Sequence, residues 1–219
     1  MQRRPALIGS VAGVVVATIV IAVLVGTDRP HHAVRVAPAE RFIEAWQRHR
    51  STTWAVDGRF TRLLISGDPA LVADTFSVQR PDERLSARSG GVNALVAGQR
   101  IVCATSPEGT TRCVGTAATK TYADEVNDEL ADWRSLLTGP DAVFAVTSSG
   151  NCFHLERLRG DQAFDRYGRA STMCFDHRTG ALERSEIRHP AATDVFEATS
   201  IRSDVRDSDF ALPAEITPG

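Results

Sequence analysis

Cys103 and Cys113 flank Ser106-Pro107-Glu108-Gly109-Thr110, a turn-like stretch centred on Glu108. A β-hairpin closing there sets the two cysteines opposite each other. In a non-hydrogen-bonded antiparallel pair the Cα atoms lie about 4.5 Å apart, within the reach of a disulfide. Cys152 and Cys174, each followed by phenylalanine, flank a polar loop in the same way. Four cysteines allow three pairings, and spacing favours Cys103–Cys113 with Cys152–Cys174. Bridges over loops of this size contribute about 3 kcal/mol each. There is no CxxC, and about 40 residues separate the two pairs, so structural staples are expected over a metal or redox site.

Disulfides persist outside the cytoplasm, and the N-terminus points there. Residues 6–26, Ala6 to Gly26, carry no charge, and their polar members are Ser10 and Thr18. At about 1.5 Å of rise per residue the segment is long enough to cross a hydrocarbon core of about 30 Å. Arg3 and Arg4 precede it, so residues 1–5 are expected in the cytoplasm and everything after Gly26 outside. A cleaved signal peptide is the rival reading. Its apolar region normally runs about 7–15 residues to a small-x-small site, and Leu24-Val25-Gly26 makes a poor one. No cysteine follows for lipoprotein processing. A retained single-pass anchor in the cell membrane is expected. Gly9, Gly13 and Ala17 could form a close helix–helix dimer face, though small residues are common in such spans.

Residues 27–37 read as an exposed linker that spans at most roughly 35–40 Å. Its His31-His32 pair is too small a set for a metal site. A domain over residues 38–213 follows, with 214–219 as a C-terminal tail. Pro38 suits a first helical turn, and Phe42, Ile43 and Trp46 make one apolar stripe to about Arg50. Strands are expected over 53–65, 71–79, 92–96, 99–104 and 110–115. From Tyr122 to Leu137 the period becomes helical: Tyr122, Val126, Leu130, Trp133 and Leu137 share a face, acidic residues crowd the first turns, and Gly139-Pro140 stops the helix. Strands resume over 142–147, 152–158, 170–175, 181–189 and 195–206. The order of elements points to an α+β fold, one antiparallel sheet with helices on one face.

The composition is that of a globular domain, 42% hydrophobic and 24% charged, and the net charge of -2 argues against nucleic-acid binding. The six histidines form no metal-ligand spacing, and there is no nucleophile elbow or phosphate loop. His154 and His177 would meet only if their strands brought them together. Asp204, Asp207 and Asp209 lack the glycine and glutamate of a calcium loop. An enzyme is not expected, nor a metal or cofactor.

Three stretches resemble the lipoprotein-localisation-factor (LolA-like) superfamily, which includes lipoprotein carriers, mycobacterial lipid-binding lipoproteins and the sensor domain of a sigma-factor regulator. They are Phe175-Asp176-His177-Arg178-Thr179-Gly180-Ala181-Leu182, Val78-Gln79-Arg80-Pro81-Asp82, and Asp209-Phe210-Ala211-Leu212-Pro213. The resemblance implies a half-barrel with an apolar concave face under a helical lid. In that strongly curved half-barrel Trp133, Leu130 and Val126, with Phe42 and Trp46, would be the lid residues; the other reading of the same residues is an ordinary core that joins helix to sheet. It further implies a cavity that holds a lipid or lipoprotein acyl chain; the expected anchor, a departure from the family's soluble carriers, makes this a membrane-anchored extracytoplasmic binding protein. The alternative is an envelope sensor or assembly subunit that grips a partner protein without lipid.

Overall fold

The structure, a computed structural model, describes residues 37–159 and 166–218. The expected cytoplasmic N-terminus, transmembrane helix, Gly9/Gly13 face and nearly all of the linker lie outside the described residues. Among the described residues no helix is long and apolar enough to cross a membrane.

Helix α1 (Pro38–Ser51) buries Phe42, Ile43 and Trp46 as one stripe. Strands β1 (Trp54–Leu64), β2 (Pro69–Arg80), β3 (Glu83–Arg88), β4 (Gly91–Val96), β5 (Gln99–Thr105) and β6 (Thr111–Ala117) follow as a meander. Helix α2 (Tyr122–Leu137) opens on a capping box, in which Thr121 and Asp124 satisfy each other's backbone N–H. A second meander then runs through β7 (Phe144–Ser149), β8 (Cys152–Arg157), β9 (Ala170–Phe175), β10 (Leu182–Arg188) and β11 (Ala192–Arg202). Strand β11 returns to pair along β1, so the two meanders, with a last short strand β12 (Ile216–Pro218), join into one open sheet of order β12-β6-β5-β4-β3-β2-β1-β11-β10-β9-β8-β7.

Three differences from the sequence expectation stand out. Residues 83–88, between two expected strands, form β3. Strand β11 ends at Arg202, because Asp209 accepts two hydrogen bonds from the Arg202 guanidinium and one from the Arg206 N–H, which turns the chain into a 3-10 helix over Asp207–Phe210. The sheet is not wholly antiparallel: Ile216–Pro218, set aside as tail, is β12 and pairs parallel with β6.

Side chains alternate along a strand and cross-strand partners share a face. The register therefore puts Val56, Ser77, Ser86 and Asn93 on one face, and Ala55, Val78, Leu85 and Ala94 on the other. The sheet buries different faces in its two halves. Over β7–β9 the helices cover the first face, where Phe42, Trp46, Leu130, Trp133 and Leu137 pack on Phe144, Phe153, Leu155, Met173 and Phe175. Over β2–β6 the C-terminal segment covers the second face, where Phe210, Val205, Leu212 and Ala214 close the core of Val78, Leu85, Ile101 and their neighbours. On the helix-bearing face of β1–β5, Arg50, Tyr122 and Glu125 of the helices contact Gln79, Arg84 and Arg100, and a groove is left beside them.

Both disulfides form as the spacing predicts. Cys103–Cys113 and Cys152–Cys174 each join directly paired residues with Cα atoms 4.0 Å apart.

Candidate functional site

The three stretches that carry the family resemblance are structural joints. In the first, the Asp176 carboxylate accepts hydrogen bonds from the N–H groups of Arg178 and Thr179 and from the Thr179 hydroxyl. Gly180 follows at φ 75°. A Cβ at Gly180 would come 3.1 Å from Arg48 Cγ, so glycine lets the turn press against the end of α1. There the Gly180 carbonyl lies 3.1 Å from His49 Nδ1, and the Thr179 carbonyl accepts the Thr52 hydroxyl. The other two stretches meet each other: Arg80 pairs with Asp207, 2.6 Å away, and its guanidinium lies 4.7 Å from the centre of the Phe210 ring.

His49 is therefore locked. Its ring stacks on Trp54, and its Nδ1 donates to the Gly180 carbonyl, which fixes a neutral tautomer. Burial first, then the adjacent Arg50 charge, push its pKa down to about 3. Beside it lies a buried polar network. Gln79 donates to the carbonyls of His49 and Thr52, 2.7 and 3.0 Å away, and its Oε1 accepts from Arg50 and the Tyr122 hydroxyl. Arg50 also pairs with Glu129 at 2.9 Å, and Glu125 takes both Arg84 and Arg100. The network ties the end of α1 and the start of α2 to the open half of the sheet.

Two cavities lie on that open half. The first, about 540 Å³, is lined by Trp54, Val56, Phe60, Leu182 and Phe196, by His49, by Arg88, whose guanidinium lies 4.3 Å from the centre of the Phe60 ring, and by a polar floor of Thr75, Ser77, Ser86 and Asn93. The second, about 480 Å³, shares Trp54, Ser77, Ser86 and Asn93 with it and is otherwise lined by Arg50, Gln79, Arg84 and Arg100 among others. The two adjoin as one groove with an apolar compartment and a basic one.

None of the five expected lid residues is among the residues lining these cavities. Phe42, Trp46, Leu130 and Trp133 are core, Trp133 being 1% exposed, and Val126 packs against them half-buried. The aromatic cluster of Phe42, Trp46, Trp133, Phe153 and Phe175 fills the space between helices and sheet. His154 and His177 do not meet: His154 sits opposite Thr172 on β8, and His177 is exposed in the Asp176 turn. Among the described residues no group of three or more His, Cys, Asp or Glu is placed to hold a metal ion. Asp207 and Asp209 are engaged by Arg80 and Arg202.

No family model matches the sequence, and no curated protein matches it. Solved structures do resemble the fold. A LolA superfamily protein from Nitrosomonas europaea is 8% identical, with 81% of this chain and 99% of that one covered at a TM-score of 0.34. MucB in complex with MucA(peri) is 11% identical, covering 80% of this chain and 60% of that one, TM-score 0.41. A DUF1329 family protein from Desulfovibrio piger is 9% identical over 80% and 98%, TM-score 0.31.

Proposed function

We propose that the chain is an extracytoplasmic, membrane-anchored binding protein whose ligand lies in the groove over β1–β5, with an acyl chain against Trp54, Val56, Phe60, Leu182 and Phe196. The observation that carries this reading is the way the sheet divides its burial. The helices seal one half of the face, the C-terminal segment seals the reverse of the other, and an aromatic-walled cavity of about 540 Å³ is left over. A cavity of this size, with apolar walls on one side and polar groups on the other, suits a small amphiphile. Burying apolar surface there contributes about 25 cal/mol per Å². Two disulfides support an oxidising compartment. The uncharged Ala6–Gly26 segment supports the anchor.

The test is mass spectrometry of lipids that co-purify with the protein and with Ser86→Trp. Ser86 is exposed and lines both cavities, so the variant should fold and exclude the ligand. Acyl-bearing species present in the wild type and lost in the variant support the reading. A wild type carrying none, with a partner protein captured through the same groove, would replace it with the sensor or assembly alternative.

A further inference from the structure

The basic compartment has more positive charge than its own carboxylates neutralise. Arg50, Arg84 and Arg100 face Glu125 and Glu129, three guanidinium groups against two carboxylates. Arg50 is spent: its donors go to Glu129 and Gln79. Arg84 and Arg100 are not, because one carboxylate, Glu125, serves both, and each gives it a single Nη2. Both side chains are partly exposed and line the second cavity, whose other polar walls are Gln79, Ser77, Ser86 and Asn93. Among the described residues no carboxylate lines either cavity. The protein as a whole carries -2, so this basic compartment stands against the sign of the molecule. Burial, and then the neighbouring Arg50 charge, lower the Arg84 pKa, while Glu125 and Glu129 act to raise it.

We infer that Arg84 and Arg100 form an oxyanion subsite, and that the groove takes an amphiphile whose phosphate-type headgroup sits there while its chain occupies the Trp54–Phe60–Phe196 compartment. This rests on the proposed binding role of the groove. Guanidinium groups with free donors recognise phosphate oxygens by charge-assisted hydrogen bonds. The shared wall of Trp54, Ser77, Ser86 and Asn93 puts the two compartments side by side, so one ligand can span both. The apolar compartment alone would accept any chain; the arginine pair selects the head.

Ala37–Gly219 closes both disulfides and both of the cores described above within itself, so it is the unit to use. Calorimetric titration compares decyl phosphate, decanol and inorganic phosphate on this unit, on Arg100→Gln, and on Arg59→Gln as an exposed control away from the groove. A charge-assisted hydrogen bond corresponds to roughly a ten- to hundred-fold change in affinity. Decyl phosphate should bind at least that much more tightly than decanol or phosphate alone. Arg100→Gln should abolish the advantage over decanol, and Arg59→Gln should keep it. Arg84→Gln, read the same way, serves should Arg100→Gln fail to fold. Equal binding of decanol and decyl phosphate overturns the subsite and leaves the binding role standing. Phosphate alone binding as tightly as decyl phosphate overturns the spanning ligand. Failure of all three to bind overturns the subsite and the acyl-binding role together.

Discussion

His49 and Trp54 stack with ring centroids 4.9 Å apart and planes 15° from parallel, at the point where α1 meets the first strand. The Trp54 indole N–H donates to the His49 carbonyl at 2.9 Å, so the pair is held through both ring and backbone. Its consequence is a pH dependence. His49 has a folded pKa of about 3 against an ordinary value of 6.5, so below pH 6.5 the unfolded chain binds a proton that the folded one refuses. Stability is complete above about pH 6.5 and falls as pH drops toward 3, by up to about 1.4 kcal/mol per pH unit. Urea melts at pH 7.5, 6 and 5 should show this loss, before the paired carboxylates begin to protonate. His49→Phe, which keeps the stack, should flatten it. An equal slope in the variant would assign the loss to other groups.

The Tyr122 hydroxyl lies 2.9 Å from the Arg50 carbonyl and 2.5 Å from Gln79 Oε1. Burial pushes its pKa up to about 12, so it stays a donor. Tyr122→Phe removes the single O–H proton that these two buried acceptors share and should cost about 1–3 kcal/mol by denaturant melts. Gln79→Met should cost more, since it also takes its donor from the Thr52 carbonyl and leaves the His49 carbonyl with the Trp54 indole alone. A neutral Gln79→Met would show that the network does not hold α1 to the sheet.

Gly58 lies beneath Phe196 across the β1–β11 pair. A Cβ there would stand 2.5 Å from Phe196 Cε2 and 2.8 Å from the Glu197 carbonyl oxygen. Gly58→Ala should therefore cost about 1–3 kcal/mol through overpacking. Pairing it with Phe196→Leu should recover part of the loss, and additive losses would mean that the Phe196 ring is not the obstacle.

Removing either disulfide, as Cys103→Ala/Cys113→Ala or Cys152→Ala/Cys174→Ala, should cost about 3 kcal/mol. Thermal melts measure this, and peptide mapping without reductant checks the pairing.

The two helices and both disulfides were legible in the sequence because each has a strong local signal: the Phe42–Trp46 and Tyr122–Leu137 periodicities, and cysteines placed symmetrically about a turn. The groove was not. Its floor is Thr75, Ser77, Ser86 and Asn93, polar residues that read as the solvent side of a strand and show no ligand only by their type. Strand β3 was hidden for the same reason, since Glu83–Arg88 has only Leu85 and Ala87 as apolar members. Arg84 and Arg100 come together with Glu125 only through strand pairing and the placement of α2, which no spacing in the chain records. The Trp133 stripe was visible as an apolar face, but an apolar face looks the same whether it meets a ligand or a core. Here it meets Phe42, Trp46 and Tyr167.

Photocrosslinking with a diazirine fatty-acid analogue tests the location of the chain most directly. Digestion and mass spectrometry should find the label on peptides of β1–β3 and β11, at Val56, Phe60, Ser77, Ser86 or Phe196, and Ser86→Trp should remove it. Label concentrated on Tyr122–Leu137, with none on β1–β3, would contradict the groove and restore α2 as the surface that meets the ligand.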